Sequence, residues 1–233
     1  MCSITARESE PLCMGIILTV ATSKGGAGKT TFTAALAAYL ARQRYSVAVV
    51  DCDPNCGFSG WHAQAYEGAP MTVSAESRSV EVVDHAQAEA DRHDIVLLDT
   101  AGFQNLTAAA AITVADFVLV PAMPDAGSVL EAVRTTQQVG SLGRAARRTI
   151  PYAAVLIRWD GRLRAHRAAR ADLLEAGVPI LSHALPPSTQ FEAATFTGRL
   201  PTTGPIETAI ADITTELIDL QAVPALSLAS DNT

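Results

Sequence analysis

The stretch Ser23-Lys24-Gly25-Gly26-Ala27-Gly28-Lys29-Thr30 follows directly on the apolar run Ile16 to Val20 and opens an alanine-rich segment. A buried strand, a glycine-rich turn and a helix start in that order turn successive backbone N–H groups and a helix N-terminus toward one point, which makes a cradle for phosphate. In such a loop the second lysine, Lys29, reaches the β- and γ-phosphates, and the Thr30 hydroxyl holds Mg²⁺. Lys24 and Lys29 are the only two lysines of the chain. Arginine carries every other fixed positive charge.

With 233 residues and 48% hydrophobic content, the chain can bury a full core as one domain. Short apolar runs recur with helical stretches between them: Ile16 to Val20, Val47 to Val50, Met71 to Ala75, Ile95 to Leu98, Phe117 to Val120, Ala153 to Ile157 and Val178 to Leu181. Continuous rather than alternating runs argue for parallel strands covered on both faces. The expected class is therefore α/β, a doubly wound and mostly parallel sheet of the P-loop type. Ligands of such sheets bind outside the carboxyl ends of the strands. Three strand ends carry polar chemistry: the phosphate loop, Asp51-Cys52-Asp53-Pro54-Asn55, and Asp99-Thr100-Ala101-Gly102. Four apolar residues followed by aspartate place a carboxylate at the tip of a buried strand, within reach of a Mg²⁺-bound water.

The ordinary phosphate-loop pattern G-x-x-x-x-G-K-[ST] wants glycine at position 23, where this chain has Ser23. Lys-Gly-Gly-x-Gly-Lys-Thr-Thr with its extra lysine resembles the deviant Walker A loop of the ParA/MinD ATPases. Asp-x-Asp-Pro-Asn and Asp-Thr-Ala-Gly are similar to that family's second signature and its γ-phosphate switch. Leu185-Pro186-Pro187-Ser188, followed by Ala194 and Gly198-Arg199-Leu200-Pro201, resembles its adenine-side loop. The likeness spans about residues 14 to 220, with a more local likeness to the small ParA-like partition proteins.

The resemblance implies ATP and Mg²⁺ as ligands and slow, partner-stimulated ATP hydrolysis. ATP would be held by Lys24, Gly25, Gly26, Ala27, Gly28, Lys29, Thr30 and Thr31 and by Pro186 and Pro187. It implies that Lys24 touches nucleotide in a second subunit, so that ATP assembles a homodimer, and that Asp53 orients the attacking water. Thr30, Asp51 and Asp99 would support the metal. Many relatives end the strand before the adenine loop with an asparagine that reads the base, and here Arg158 stands there.

A formal charge of −7 argues against nucleic acid as a partner of the whole surface. Yet residues 144 to 170 contain eight arginines against Asp160 alone, +7 locally, which leaves −14 elsewhere. If residues 162 to 175 form a helix, Arg164, Arg167 and Arg170 fall within about 120° of one another, with Arg162 at its start. Such a patch neutralises phosphates of double-stranded DNA without reading bases, or is a solvated arginine face. The last amphipathic segment sets Ile206, Ile210, Ile213, Leu217 and Leu220 at helical spacing, but its polar face is acidic. Anionic lipid would repel it, so packing on the sheet is expected rather than membrane binding.

Residues 1–13 carry no periodic pattern and are expected to be disordered, as is a tail from 221 to 233. The segment to 20 is read as a strand rather than a signal peptide, because two glutamates precede it and cleavage near Ala21 would cut into the phosphate loop. Four cysteines without a disulfide framework fit a reducing cytoplasm, with association to the nucleoid if DNA is bound. Cys52-x-x-x-Cys56 invites a metal reading, against which Cys52 is expected to fill space beside its strand.

The expected function is an ATP-dependent dimerising switch that partitions or positions a plasmid, chromosome or other intracellular cargo. A MinD-like or cargo-positioning ATPase that does not use DNA, a metallocluster carrier, and a small-molecule ligase or kinase are the rival readings.

Overall fold

The computed structural model describes residues 14–102 and 105–225. Six strands, β1 (Ile16–Val20), β2 (Val47–Asp51), β3 (Thr72–Ala75), β4 (Ile95–Asp99), β5 (Phe117–Ala122) and β6 (Tyr152–Leu156), form one sheet in the order β3-β2-β4-β1-β5-β6. Every neighbouring pair is parallel. The helices are α1 (Lys29–Arg42), α2 (Gly57–Ala65), α3 (Glu81–Ala90), α4 (Leu106–Val114), α5 (Ala126–Ala145), α6 (Arg164–Glu175), α7 (Gln190–Thr197) and α8 (Gly204–Asp219). This is the doubly wound α/β P-loop NTPase fold.

Alternation along each strand decides which core a side chain enters. Leu18, Val20, Val47, Val49, Ile95, Leu97, Phe117 and Leu119 pack with α1 and α8 on one face. Ile17, Ala48, Val50, Val96 and Leu98 meet Val82, Ala86 and Ala90 of α3 on the other, and Val118 and Val120 meet α5 and α6 there. Both faces are covered, which is why the runs read as continuous rather than alternating. Helix α8 buries Ile206, Ile210, Ile213 and Leu217 against α1, as its spacing predicts. Leu220 ends that stripe and is half exposed.

Three expectations need correction. Val178 to Leu181 is not a strand of the sheet. It touches β6 only through the isolated bridge Ala154 to Ile180, with a second bridge from Ile157 to Leu185. Pro179 accepts from Ala154 N–H but has no N–H to return, so a ladder cannot propagate there. The helix expected from 162 begins at Arg164, because Asp160 ties Arg162 into the preceding turn. The expected loose tail is packed where it is described: Ala222 and Val223 are buried, and the Tyr45 hydroxyl donates to Pro224 O at 2.7 Å. Residues 226–233 and the expected disordered residues 1–13 lie outside the described residues.

The first turn of α1 joins the phosphate loop to the core through Phe32, which is fully buried. Phe32→Ala leaves a cavity beneath that loop. It should lower unfolding stability by about 3–5 kcal/mol in urea titration, whereas Leu106→Ala, at a mostly exposed side chain, should change it by less than about 0.5 kcal/mol.

Candidate nucleotide site

The loop between β1 and α1 reverses around glycines in the left-handed region, Gly26 at φ 72° and Gly28 at φ 82°. Side chains rarely adopt these angles, and Gly28 is also the residue that caps the start of α1. A Cβ at Gly102 would sit 2.8 Å from Gly25 Cα, so the Asp99-Thr100-Ala101-Gly102 segment runs directly against the loop. The two motifs, with Thr30 and Asp99 lying 69 residues apart in sequence, thus form one surface.

Ser23 and Lys24 are both bonded to α5 or to its capping residue. Ser23 Oγ donates to Glu131 at 2.6 Å, which accounts for serine where glycine is usual. Lys24 Nζ donates to both carboxylate oxygens of Asp125 at 2.7 and 2.8 Å. Asp125 also caps α5 by accepting from Ser128 N–H, and its bond to Lys24 holds its carboxyl below the usual range. Lys29 instead turns inward. Its Nζ donates to Lys24 O at 3.2 Å, and burial lowers its pKa against the opposing charges of Asp99 and Asp53.

Asp99 is buried at the tip of β4, accepting from Thr30 Oγ1 at 2.8 Å and Thr33 Oγ1 at 3.2 Å. Burial pushes its carboxyl up to about 7; the two threonine hydroxyls and Lys29 oppose the shift and the charge of Asp51 adds to it. A hydroxyl and a carboxylate side by side under a phosphate cradle are a donor set suited to Mg²⁺. Asp51, expected beside that cation, is otherwise engaged. Its Oδ2 accepts from Ser59 N and Oγ at 2.8 and 2.9 Å and its Oδ1 from Asp53 N, so it anchors α2. Asp53 lies at the cleft wall, one oxygen accepting from Asn55 N and Nδ2 at 2.9 Å each.

Lys29, Thr30 and Asp53 border a cleft of about 440 Å³, whereas the buried Asp51 and Asp99 are not among its lining residues. Residues Gly25 to Thr31, Asp53, Thr100 and Gly102 line it together with Arg158, Leu185, Pro186, Ser188 and Phe191. Lys24 is not among the lining residues, nor is Pro187, which borders a neighbouring depression with Trp159 and Arg162. Sequence reasoning missed Met123, Ile157, Phe191, Glu192 and Thr195, which also face the cleft. Met123 and Ile157 were findable, since each follows directly on the end of a strand. The three from α7 were not, because that eight-residue helix has no apolar periodicity.

The arginine segment is only partly free. Arg162 forms a two-pronged pair with Asp160, Arg167 donates to Gly161 O and Arg162 O, and Arg148 donates to Thr113 O and Ala115 O. Arg164 lies exposed on α6 and Arg170 half exposed. Cys52 is buried, its thiol pKa raised by that burial, and Cys56 is exposed. Among the described residues no group of three or more His, Cys, Asp or Glu side chains is placed to hold a metal ion, and no helix is long and apolar enough to cross a membrane.

Asp51→Ala should cost about 1–3 kcal/mol of stability, because it strands the Ser59 and Asp53 donors. The Mg²⁺ dependence of nucleotide binding should persist. Urea unfolding beside a Mg²⁺ titration checks both; lost Mg²⁺ dependence at full stability would return Asp51 to the cation.

The family model of the CobQ/CobB/MinD/ParA nucleotide binding domain matches residues 18–201. A protein named ParA from Rhizobium radiobacter is 32% identical over 183 residues, 76% of this chain and 81% of that protein. The maintenance of carboxysome distribution protein A of Halothiobacillus neapolitanus is 30% identical over 173 residues, 71% of this chain and 76% of that protein. Among solved structures, a variant of Cyanothece McdA in complex with ATP superimposes with a TM-score of 0.77 at 18% identity, covering 92% of this chain and 99% of that one. With its phosphate loop, its buried strand-end aspartate and a family model matching most of its length, the chain belongs to the CobQ/CobB/MinD/ParA nucleotide-binding family.

Proposed function

We propose that this protein is an ATP-dependent dimerising switch whose ATP-bound pair holds duplex DNA without sequence preference and releases it on hydrolysis, so positioning an intracellular cargo. The observation that carries the reading is the divergence of the two lysines. Lys29 faces the cleft, and Lys24 leaves it for Asp125 on the outer side of the loop.

Within one subunit, Lys29 and the N–H groups of the loop bind the β- and γ-phosphates. Thr30 and Asp99 are the groups that would hold Mg²⁺, which supplies charge neutralisation of the phosphate oxygens. Asp53, fixed by Asn55, orients the attacking water. Lys24, 31% exposed in its pair with Asp125, leaves that pair for the nucleotide of the second subunit. Names among the relatives, ParA and a carboxysome distribution protein, support a partition or positioning role and leave the cargo open between a plasmid and a protein body. A second protein that stimulates hydrolysis completes the cycle.

The two lysines should fail differently. Lys29→Ala should abolish ATP binding, whereas Lys24→Ala should bind ATP but neither dimerise nor turn it over. Asp53→Ala, with its cradle intact, should accumulate as the ATP-bound dimer. Affinity measurements and sedimentation on the three variants test this, and equal loss of ATP affinity at both lysines would defeat the cross-subunit role.

DNA should be bound only by the ATP-bound pair, since one subunit offers few free guanidiniums and pairing doubles the contact. Replacing Arg164, Arg167 and Arg170 together by alanine should abolish DNA retention while sparing ATP-driven dimerisation. Binding by the parent should fall steeply with salt and vary little with sequence. The assay is DNA retention with ATP, ADP and no nucleotide across a salt series. Undiminished retention by the triple variant exonerates these arginines; no ATP-dependent retention by the parent favours cargo positioning without DNA.

A further inference from the structure

We propose that the stem of the phosphate loop carries a binding site for one internal water, held by Thr22, Thr135 and Gln138, which ties that stem to α5. The observation that carries it is the Thr22 hydroxyl. Thr22 lies just past the end of β1 and is 3% exposed, and its Oγ1 has no hydrogen-bond partner among the described residues. A hydroxyl buried in that condition gives up its bonds to solvent and receives none in return. In folded proteins such groups are satisfied by protein atoms or by ordered water.

Thr22 also lines a void of about 10 Å³ between the loop stem, α5 and the segment that follows β4. A single water needs about 10–15 Å³ and two to four polar partners. The walls supply both. Thr135 of α5 is buried and gives its proton to Glu131 O at 2.7 Å, which leaves its oxygen to accept. Ser23 N–H reaches that oxygen only at 3.4 Å. Gln138, on the same helix, lines the void too, and its side-chain amide makes no hydrogen bond among the described residues. An amide both donates and accepts, so it suits a water whichever way the Thr22 hydroxyl turns. Ala101 on one side and Ala108 and Ile112 of α4 on another make the remaining wall apolar, which directs the bonds of the water toward the stem and α5.

The consequence is a clasp on three successive residues. Ser23 is bonded to Glu131 of α5, and Lys24 to Asp125 at its cap. With the water, Thr22 is joined to the same helix through groups that no direct bond connects. The phosphate loop is thus held to α5 along its whole stem.

The test combines a high-resolution crystal structure of the full chain with urea unfolding of Thr22→Val, Gln138→Met and the double variant. Valine keeps the outline of threonine, methionine is as good a helix former as glutamine, and each removes only the polar groups. The crystal should show one water within hydrogen-bond distance of Thr22 Oγ1. Thr22→Val should lower the folding equilibrium constant by about tenfold, the scale of one buried hydrogen bond. The loss in the double variant should fall short of the product of the single losses by about threefold or more, because both act on one water although the side chains do not bond to each other. A dry void with a Thr22→Val variant more stable than the parent would overturn the inference, since removing an unsatisfied hydroxyl from a dry site relieves a cost. Single losses that simply multiply would overturn the tie between the loop stem and α5.

Discussion

The bonds from Thr30 and Thr33 to the buried carboxylate of Asp99 tie the phosphate loop to the sheet. A carboxylate at that depth is disfavoured as an anion, and two hydroxyls with Lys29 recover only part of the loss. The group therefore keeps a standing attraction for positive charge directly beneath the cradle. Strand order brings this about. β4 lies between β1 and β2, so the tip that carries Asp99 is flanked by the phosphate loop on one side and by Asp51 on the other, its register partner across the ladder. A single slip of register would move these carboxylates to opposite faces.

A second linkage joins two walls of the cleft. The α2 helix follows the loop that carries Asp53, and α7 carries Phe191, Glu192 and Thr195 of the cleft lining. Trp61 Nε1–H donates to Ala194 O at 3.1 Å, Glu67 N–H donates to Gly198 O at 3.0 Å, and Arg199 pairs with Glu67. A Cβ at Gly198 would fall 1.5 Å from Ala65 O, so only glycine permits the two helices to approach this closely. The α7 wall of the cleft is thereby joined, through α2, to the loop that carries Asp53.

The sequence made the fold and the phosphate end legible for a physical reason. Strand runs buried on both faces and a loop built from glycines leave signals within a few residues of each other. What it hid depends on contacts made at long range. Asp51 and Asp53 sit two residues apart in one motif, yet only the fold shows that the first is consumed by Ser59 and the second faces the cleft. The arginine count of residues 144 to 170 could not show that Arg148 and Arg167 spend donors on backbone carbonyls, or that Arg162 is matched by Asp160. Val178 to Leu181 had the composition of a strand, and Pro179 removed the donor a strand needs at that edge.

Energetics separates the two lysines of the loop more sharply than their spacing does. An ion pair as exposed as Lys24–Asp125 contributes roughly 0–1 kcal/mol, because water solvates both partners well when they part. Lys29 has no comparable freedom, since it is buried between the loop and the strand-end carboxylates. The Lys24–Asp125 pair can therefore part at little cost, while Asp125 retains the Ser128 N–H bond that caps α5. The loop thus holds one cation buried in its own cleft and one in an exposed pair, and the cap of α5 does not depend on that pair.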